Sequence, residues 1–257
     1  MARDAVRREG DGSEYCGDVS MSPFVEIVGP TPLRWGWKGL TFLLLCSLGL
    51  AVPAQQRFDF KVREDMFAGF DGDQEAFDRA MKLIADTLAA DPDHAEALVW
   101  RGDARLFLSG QAFQRRAIGE GQALAVQGMA DMERAVSLAP TSIAVLIPRA
   151  TGLMPFARGM RPFNRPEADR LTKIAIGDFE FVVAANTPRW SALSEHDRGE
   201  LLGALADGWL QLGDVTKANV YLDRMNAELQ GTLYARNAAQ RRADPAARVP
   251  LTCLGCH

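Results

Sequence analysis

An all-α fold assembled from repeated helix pairs is what this sequence predicts, and three observations carry that expectation. The 257 residues are 47% apolar and only 8% aromatic, which is ordinary globular composition in which alanine and leucine dominate. Runs of β-branched residues are short, so long strands have little to build on. Apolar residues recur at three- and four-residue steps between stretches punctuated by glycine and proline. A net charge of -4 gives no support to a nucleic-acid or anionic-membrane surface.

The N-terminal segment reads as targeting information. Arg34 and Lys38 precede an apolar run from Leu40 to Val52, which closes on the small-residue pattern Val52-Pro53-Ala54. The run is shorter than the roughly 20 residues a spanning helix needs, so residues 1–54 are expected to be a signal peptide cut before Gln55. An uncleaved membrane anchor is the alternative. The polar stretch before Met21 is long for such a leader, and Met21 is the expected start. Cleavage removes five basic and six acidic residues and leaves 24 against 27, with Cys253 and Cys256 as the two remaining cysteines.

Residues 55–235 then read as a helical-repeat domain. Phe77, Ala80, Met81, Ile84 and Leu88 share one helical face, and Asp91-Pro92 should end that helix. A second helix is expected from about His94, itself a polar residue at the helix start, to Ser109-Gly110, where glycine permits a left-handed turn. The unit recurs: Met132, Ala135 and Pro140 repeat the spacing of Ile84, Thr87 and Pro92. Leu201 to Met225 holds a complete pair around Leu212-Gly213-Asp214, with Ala206 and Ala218 at the point of closest approach and Trp209 and Leu222 in the seam. The glycine-containing "GEGQALAVQG" follows no strand and carries no GK[ST], so it is expected to be loop.

These segments resemble tetratricopeptide repeats, which place a small residue in the first helix, glycine at the turn, alanine in the second helix and proline at the end. The resemblance implies an α-solenoid whose concave groove docks a peptide or protein partner. Gly119–Gly128 and Pro148–Pro166 are expected to be insertions, and the Pro92-to-Pro140 interval exceeds the family's roughly 34-residue period. An irregular helical bundle is the alternative. No GxSxG, HExxH or phosphate-binding glycine loop occurs, so the chain reads as an electron carrier before a catalyst.

The remaining stretch, 236–257, is expected to be an extended tail, and it ends in "LTCLGCH". Two thiols three residues apart and an adjacent imidazole suit three chemistries. A thioredoxin-type disulfide needs a strand–helix context that the proline-punctuated approach does not supply. A structural zinc site needs four ligands, for which His94 and His196 would have to join, and Cys256 beside His257 is poor tetrahedral geometry. Covalent haem uses every feature: each thiol adds to one vinyl group and the histidine comes to lie beneath the porphyrin.

The pentapeptide thus resembles the attachment site of c-type cytochromes. That resemblance implies one haem c held by Cys253 and Cys256, with His257 as an axial iron ligand. Since nothing follows the motif, a sixth ligand would come from upstream, from a partner, or be missing. The upstream stretch "PRATGLMPFARGMRPFNRP", expected to be a loop, offers Met154, whose Met-Pro context resembles the distal segment of many cytochromes c, and less strongly Met160. His196 is the bis-histidine alternative. Arg158 and Arg161, with Arg149 and Arg165, suit haem propionates because guanidinium binds carboxylate bidentately.

The expected function is that of an exported, periplasmic mono-haem cytochrome transferring single electrons, docked by its helical repeats to a larger electron-transfer complex or another cytochrome. After signal cleavage no membrane span is expected. An open sixth position would instead permit peroxide or small-gas chemistry. The other class is a haem-free envelope adaptor whose cysteine pair forms a disulfide or metal clip.

Overall fold

A computed structural model describes residues 57–252, and every regular element among them is helical. In chain order the helices are α1 (Phe58–Phe70), α2 (Gln74–Ala90), α3 (Ala95–Gln114), α4 (Ile118–Leu138), α5 (Ile143–Met160), α6 (Arg165–Asn186), α7 (Glu195–Leu212), α8 (Val215–Glu228) and α9 (Leu233–Ala243). A 3-10 turn at Thr187–Ala192 separates α6 from α7. The fold is all-α. The signal segment assigned to 1–54 lies outside the described residues, and so do Cys253, Cys256 and His257.

Local chemistry sets most of the starts. Asp73, His94, Asn164, Ser194, Asp214 and Thr232 each occupy an N-cap, and each side chain accepts the backbone N–H three residues on. Each satisfies a donor that the first helical turn would otherwise leave unpaired, worth about 0.5–2 kcal/mol. His94 is one of these caps, its Nδ1 accepting from Ala97 at 3.2 Å. At the α7–α8 turn Gly213 takes φ +82°, and its N–H closes on the Leu210 carbonyl. That conformation penalises any side chain with a Cβ.

Helices pair in sequence order: α1 with α2, α3 with α4, α5 with α6 and α7 with α8. Contacts of α3 with α5, and of α6 with α7, join successive pairs. The predicted α2 face is where it should be, with Phe77, Ala80, Ile84 and Leu88 buried and Met81 half-buried. Ala206 and Ala218 are sealed at the α7–α8 approach, with Leu222 beside them. One core runs from Phe58 to Leu205, and a second cluster of Leu202, Leu222, Met225, Leu229, Tyr234 and Leu251 closes the C-terminal end.

Four local expectations are corrected. Residues 119–128, read as a loop and insertion, lie inside α4. Their glycines serve packing: a Cβ on Gly128 would stand 2.8 Å from the Gly102 carbonyl oxygen, and one on Gly102 equally close to that of Gly128. Mutual absence of side chains lets the α3 and α4 backbones approach. The stretch around Met154 is likewise helix, since α5 runs unbroken through Pro148 and Pro155, and the connection to α6 is confined to residues 161–164. Each proline forfeits a backbone bond at a cost of about 3 kcal/mol. Burial of Val145, Leu146, Ala150, Leu153, Met154 and Ala157 offsets that loss.

Helix α3 does not stop at Gly110 but continues to Gln114, because Ala112 is fully buried on the packed face. Arg116 then takes the left-handed turn at φ +63°. Finally, residues 236–243 belong to α9, so the extended chain starts at Asp244. The pairs begin at Phe58, Ala95, Ile143 and Glu195, an interval that widens along the chain.

Candidate functional site

The attachment motif itself lies outside the described residues, but the chain that leads into it does not. Asp244 caps α9, its Oδ1 accepting from Ala246 N–H at 2.9 Å and its carbonyl from Ala247 N–H at 3.0 Å. Arg241 then donates to the Ala247 carbonyl, and Asn237 donates through Nδ2 to the Pro250 carbonyl at 2.9 Å. Leu251 is 4% exposed and inserts into the C-terminal apolar cluster. Residues 244–252 therefore form a strap laid back along α9 and across α7, in a path that lacks regular structure yet is held by side chains at both ends.

Gly203 makes that path available. A Cβ at this position would overlap the Leu251 carbonyl oxygen and stand 2.7 Å from its carbon. Glycine lets the strap backbone lie directly on α7, and Thr252 passes beside the same residue. One turn earlier, Gly199 performs the same service for the Tyr234 ring, which would meet a Cβ at 2.7 Å.

The buried Tyr234 ring reaches back to the start of α7. Its hydroxyl donates to Glu200 Oε1 at 2.7 Å and stands 3.0 Å from His196 Nδ1. With the phenolic proton directed at Glu200, the tyrosine oxygen accepts from His196, which places the imidazole proton on Nδ1. His196, Gly199, Glu200 and Gly203 fall on one face of α7 at steps of three and four.

The other residues singled out in the sequence are placed differently. Met154 is 6% exposed, its Cε packed towards Gly208 beside Ile176 in the main core. The thioether fills an interhelical gap there, the ordinary use of a buried methionine. Arg149 pairs with Asp178, Nε to Oδ2 at 2.7 Å, inside the α5–α6 interface. Burial raises the Asp178 carboxyl above its ordinary value of 3.8, and the hydrogen bond and charge of Arg149 oppose that rise without cancelling it.

Arg158 donates to Asp207, which also receives Gln211 Nε2 and lies 3.6 Å from Arg241. Arg161 pairs with Asp169 at 2.6 Å, a charge contact and not an aligned hydrogen bond, while its Nη1 is buried with no hydrogen-bond partner among the described residues. With Arg165 these two arginines line an open cavity of about 470 Å³, completed by Pro162, Leu210, Gln211 and Gly213. The structure thus brings Arg158 and Arg161 together. It puts Met154 in the core and His196 on the face that the strap crosses.

Sequence reasoning missed Tyr234, Glu200, Asn237 and Gly203. The Gly199-x-x-x-Gly203 spacing was the available signal, because two glycines on one helix face announce something large lying against it. Among the described residues no group of three or more His, Cys, Asp or Glu is arranged to hold a metal ion, and no helix is long and apolar enough to cross a membrane. Compared with known protein families, curated proteins and solved structures, the chain matches none. Fold and site define the class: an all-α protein of stacked helix pairs whose strapped C-terminal segment leads into a Cys-x-x-Cys-His sequence.

Proposed function

We propose that this is an exported mono-haem cytochrome of the c type, in which a tetratricopeptide-like helical stack carries one covalently bound haem on its C-terminal segment. The observation that carries the reading is the Cys253-x-x-Cys256-His257 motif. Two thiols at that spacing suit the two vinyl groups of one porphyrin, and the adjacent imidazole suits its iron. The apolar leader at Leu40–Val52 supports export to the periplasm, where such ligation takes place.

When bound, the haem would supply a one-electron couple. The strap anchored by Asn237, Leu251 and Gly203 seats residues 244–252 on α7 and α9, so the chain approaching the motif is held on the body of the stack. The four helix pairs supply a rigid body for docking. Their longer period and the α-helical character of residues 119–128 and 148–160 depart from the consensus tetratricopeptide unit, so the resemblance rests on pairing and stacking. Phe163, 89% exposed in the α5–α6 turn that also carries Arg161, is the kind of exposed aromatic that anchors a protein partner. That partner is expected to be another redox protein within a larger electron-transfer assembly.

The test is a reduced-minus-oxidised spectrum with a pyridine haemochrome and an intact mass, on residues 55–257 exported in a host with haem-ligation machinery. A c-type α-band and one haem retained through denaturation support the reading. A colourless chain of unmodified mass, from a host that ligates a control cytochrome, refutes it and leaves a haem-free adaptor with a cysteine clip.

A further inference from the structure

We propose that the cavity at the α5–α6 turn is a binding site for a small organic oxyanion, a compact molecule carrying two or more carboxylate or phosphate groups, held by Arg158, Arg161 and Arg165. The inference stands apart from the haem reading.

Two stretches distant in sequence build the site. Arg158 comes from the last turn of α5, Arg161 and Pro162 from the connection, and Arg165 from the start of α6; Leu210, Gln211 and Gly213 come from the end of α7. At about 470 Å³ the open cavity lies within the roughly 300–1,000 Å³ typical of small-molecule sites. Among the described residues that line it, the charged ones are all arginines.

The acids behind this wall do not balance it. Asp207 is shared by Arg158 and Arg241 and also accepts from Gln211 Nε2 at 2.9 Å. Asp169 is shared by Arg161 at 2.6 Å and Arg165 at 3.8 Å. Four guanidinium groups thus lean on two carboxylates, an excess of two positive charges. Neighbouring acids are engaged elsewhere: Glu167 takes two hydrogen bonds from Arg170, and Asp214 caps α8 and pairs with Lys217 at 3.7 Å.

The helix ends do not explain the arginines. Gly213 N–H takes the Leu210 carbonyl at 3.0 Å and Asp214 N–H takes that of Trp209 at 2.9 Å, so α7 is closed by its own backbone. The α6 N-terminus and the α7 C-terminus carry about half a charge each, of opposite sign, and largely cancel. The side chains therefore set the sign of the potential.

Donor capacity is also left over. Arg161 is only 22% exposed in its side chain, and its Nη1 has no hydrogen-bond partner among the described residues. A buried donor left unmade is costly, and an oxyanion seated against this guanidinium supplies the acceptor. Arg165, with 73% of its side chain exposed, has its fork to offer as well. Such forks take carboxylate or phosphate bidentately, while Pro162 and Leu210 present carbon surface to the skeleton of the ligand. Two excess positive charges match a ligand with two or more negative ones.

The experiment is calorimetric titration of the mature chain, residues 55–257, in about 0.15 M salt, where loose surface attraction is screened. Citrate and pyrophosphate are the probes, and they separate carboxylate from phosphate as the preferred group. At least one should bind saturably, one per chain. Arg161→Ala should weaken that binding about 10- to 100-fold, the effect of losing a charge-assisted hydrogen bond, and Arg161→Lys, which keeps the charge without the fork, should recover only part of it. Arg165→Glu should weaken it more than about 10-fold by reversing a charge on the lining. Arg170→Ala, outside the lining, should bind as the wild type does. Helical circular dichroism checks that Arg161→Ala still folds; Arg165→Glu, at an exposed side chain, keeps the test decisive if it does not. No saturable binding of either probe by the wild type, or affinity unchanged in Arg165→Glu, overturns the site. Binding of a polyglutamate peptide but of neither small anion overturns the small-molecule assignment.

Discussion

Gly203→Ala separates a docked strap from a free tail. The added methyl would overlap the Leu251 carbonyl oxygen and stand 2.7 Å from the carbonyl carbon, both of them backbone atoms that cannot rotate aside. The strap must therefore lift. Lifting exposes Leu251, now 4% accessible, at a cost of about 1.5–3 kcal/mol. It also breaks the 2.9 Å bond from Asn237 to the Pro250 carbonyl, a further 0.5–1.5 kcal/mol or so. Against this, alanine in place of glycine inside α7 gains about 0.5–1 kcal/mol. The net loss of stability is about 1–4 kcal/mol. The docking energy of roughly 2–4.5 kcal/mol sets how rarely the wild-type strap opens, and at about 1.4 kcal/mol per tenfold its removal speeds opening some 30- to 2,000-fold.

Trypsin reads that opening directly. Arg248 is exposed, but the backbone on either side of it is held, at Ala247 by Arg241 and at Pro250 by Asn237. Cleavage after Arg248, followed by mass, should be slow in the wild type and faster by the stated factor in Gly203→Ala. Gly177→Ala is the control: its position in α6 is a helix interior with nothing within 4 Å of the new Cβ, so it should stabilise the protein by about 0.5–1 kcal/mol. If Gly203→Ala behaves like Gly177→Ala, more stable and no more cleavable, the strap is not seated on α7 and the reasoning built on its position fails.

Other expectations follow from the charge pairs. Glu228 accepts from Trp190 Nε1 at 2.6 Å and Arg224 Nε at 2.9 Å, and although burial alone would raise its carboxyl, these bonds together hold it below the ordinary 4.5. A lowered folded-state value means stability that is present above 4.5 and is lost as pH falls through the folded value. Glu228→Gln should therefore show a shallower acid loss of denaturation midpoint than the wild type, and an identical slope would contradict the pairing. Asp178 carries the opposite sign: held above 3.8, it favours the folded state at low pH and that advantage is lost as pH rises through the folded value. Arg149→Ala leaves this buried carboxylate unpaired and should cost about 3–5 kcal/mol at neutral pH, and less near pH 4, where the carboxyl can take a proton.

The sequence by itself determined the all-α class and several of the helix boundaries. The periodic face Phe77–Ala80–Ile84–Leu88, the helix start at His94 and the glycine at 213 are local signals, decided within one or two turns, and they were legible for that reason. The Cys-x-x-Cys-His spacing is visible without tertiary context, because it is a pattern within five residues, and the haem reading built on it remains a proposal. Glycine and proline misled where their local meaning was outweighed. Gly121 and Gly128 make room for a neighbouring helix, and Pro148 and Pro155 are carried inside α5 by the burial around them. Proximity across the chain belonged to the tertiary structure alone. Tyr234 orders an imidazole 38 residues away, and Gly203 receives a strap that returns from beyond α9. No local pattern encodes such meetings, because they depend on which faces α7, α8 and α9 bury against one another. Packing of those three helices decided that the strap lies on Gly203 and that Tyr234 meets His196 and Glu200.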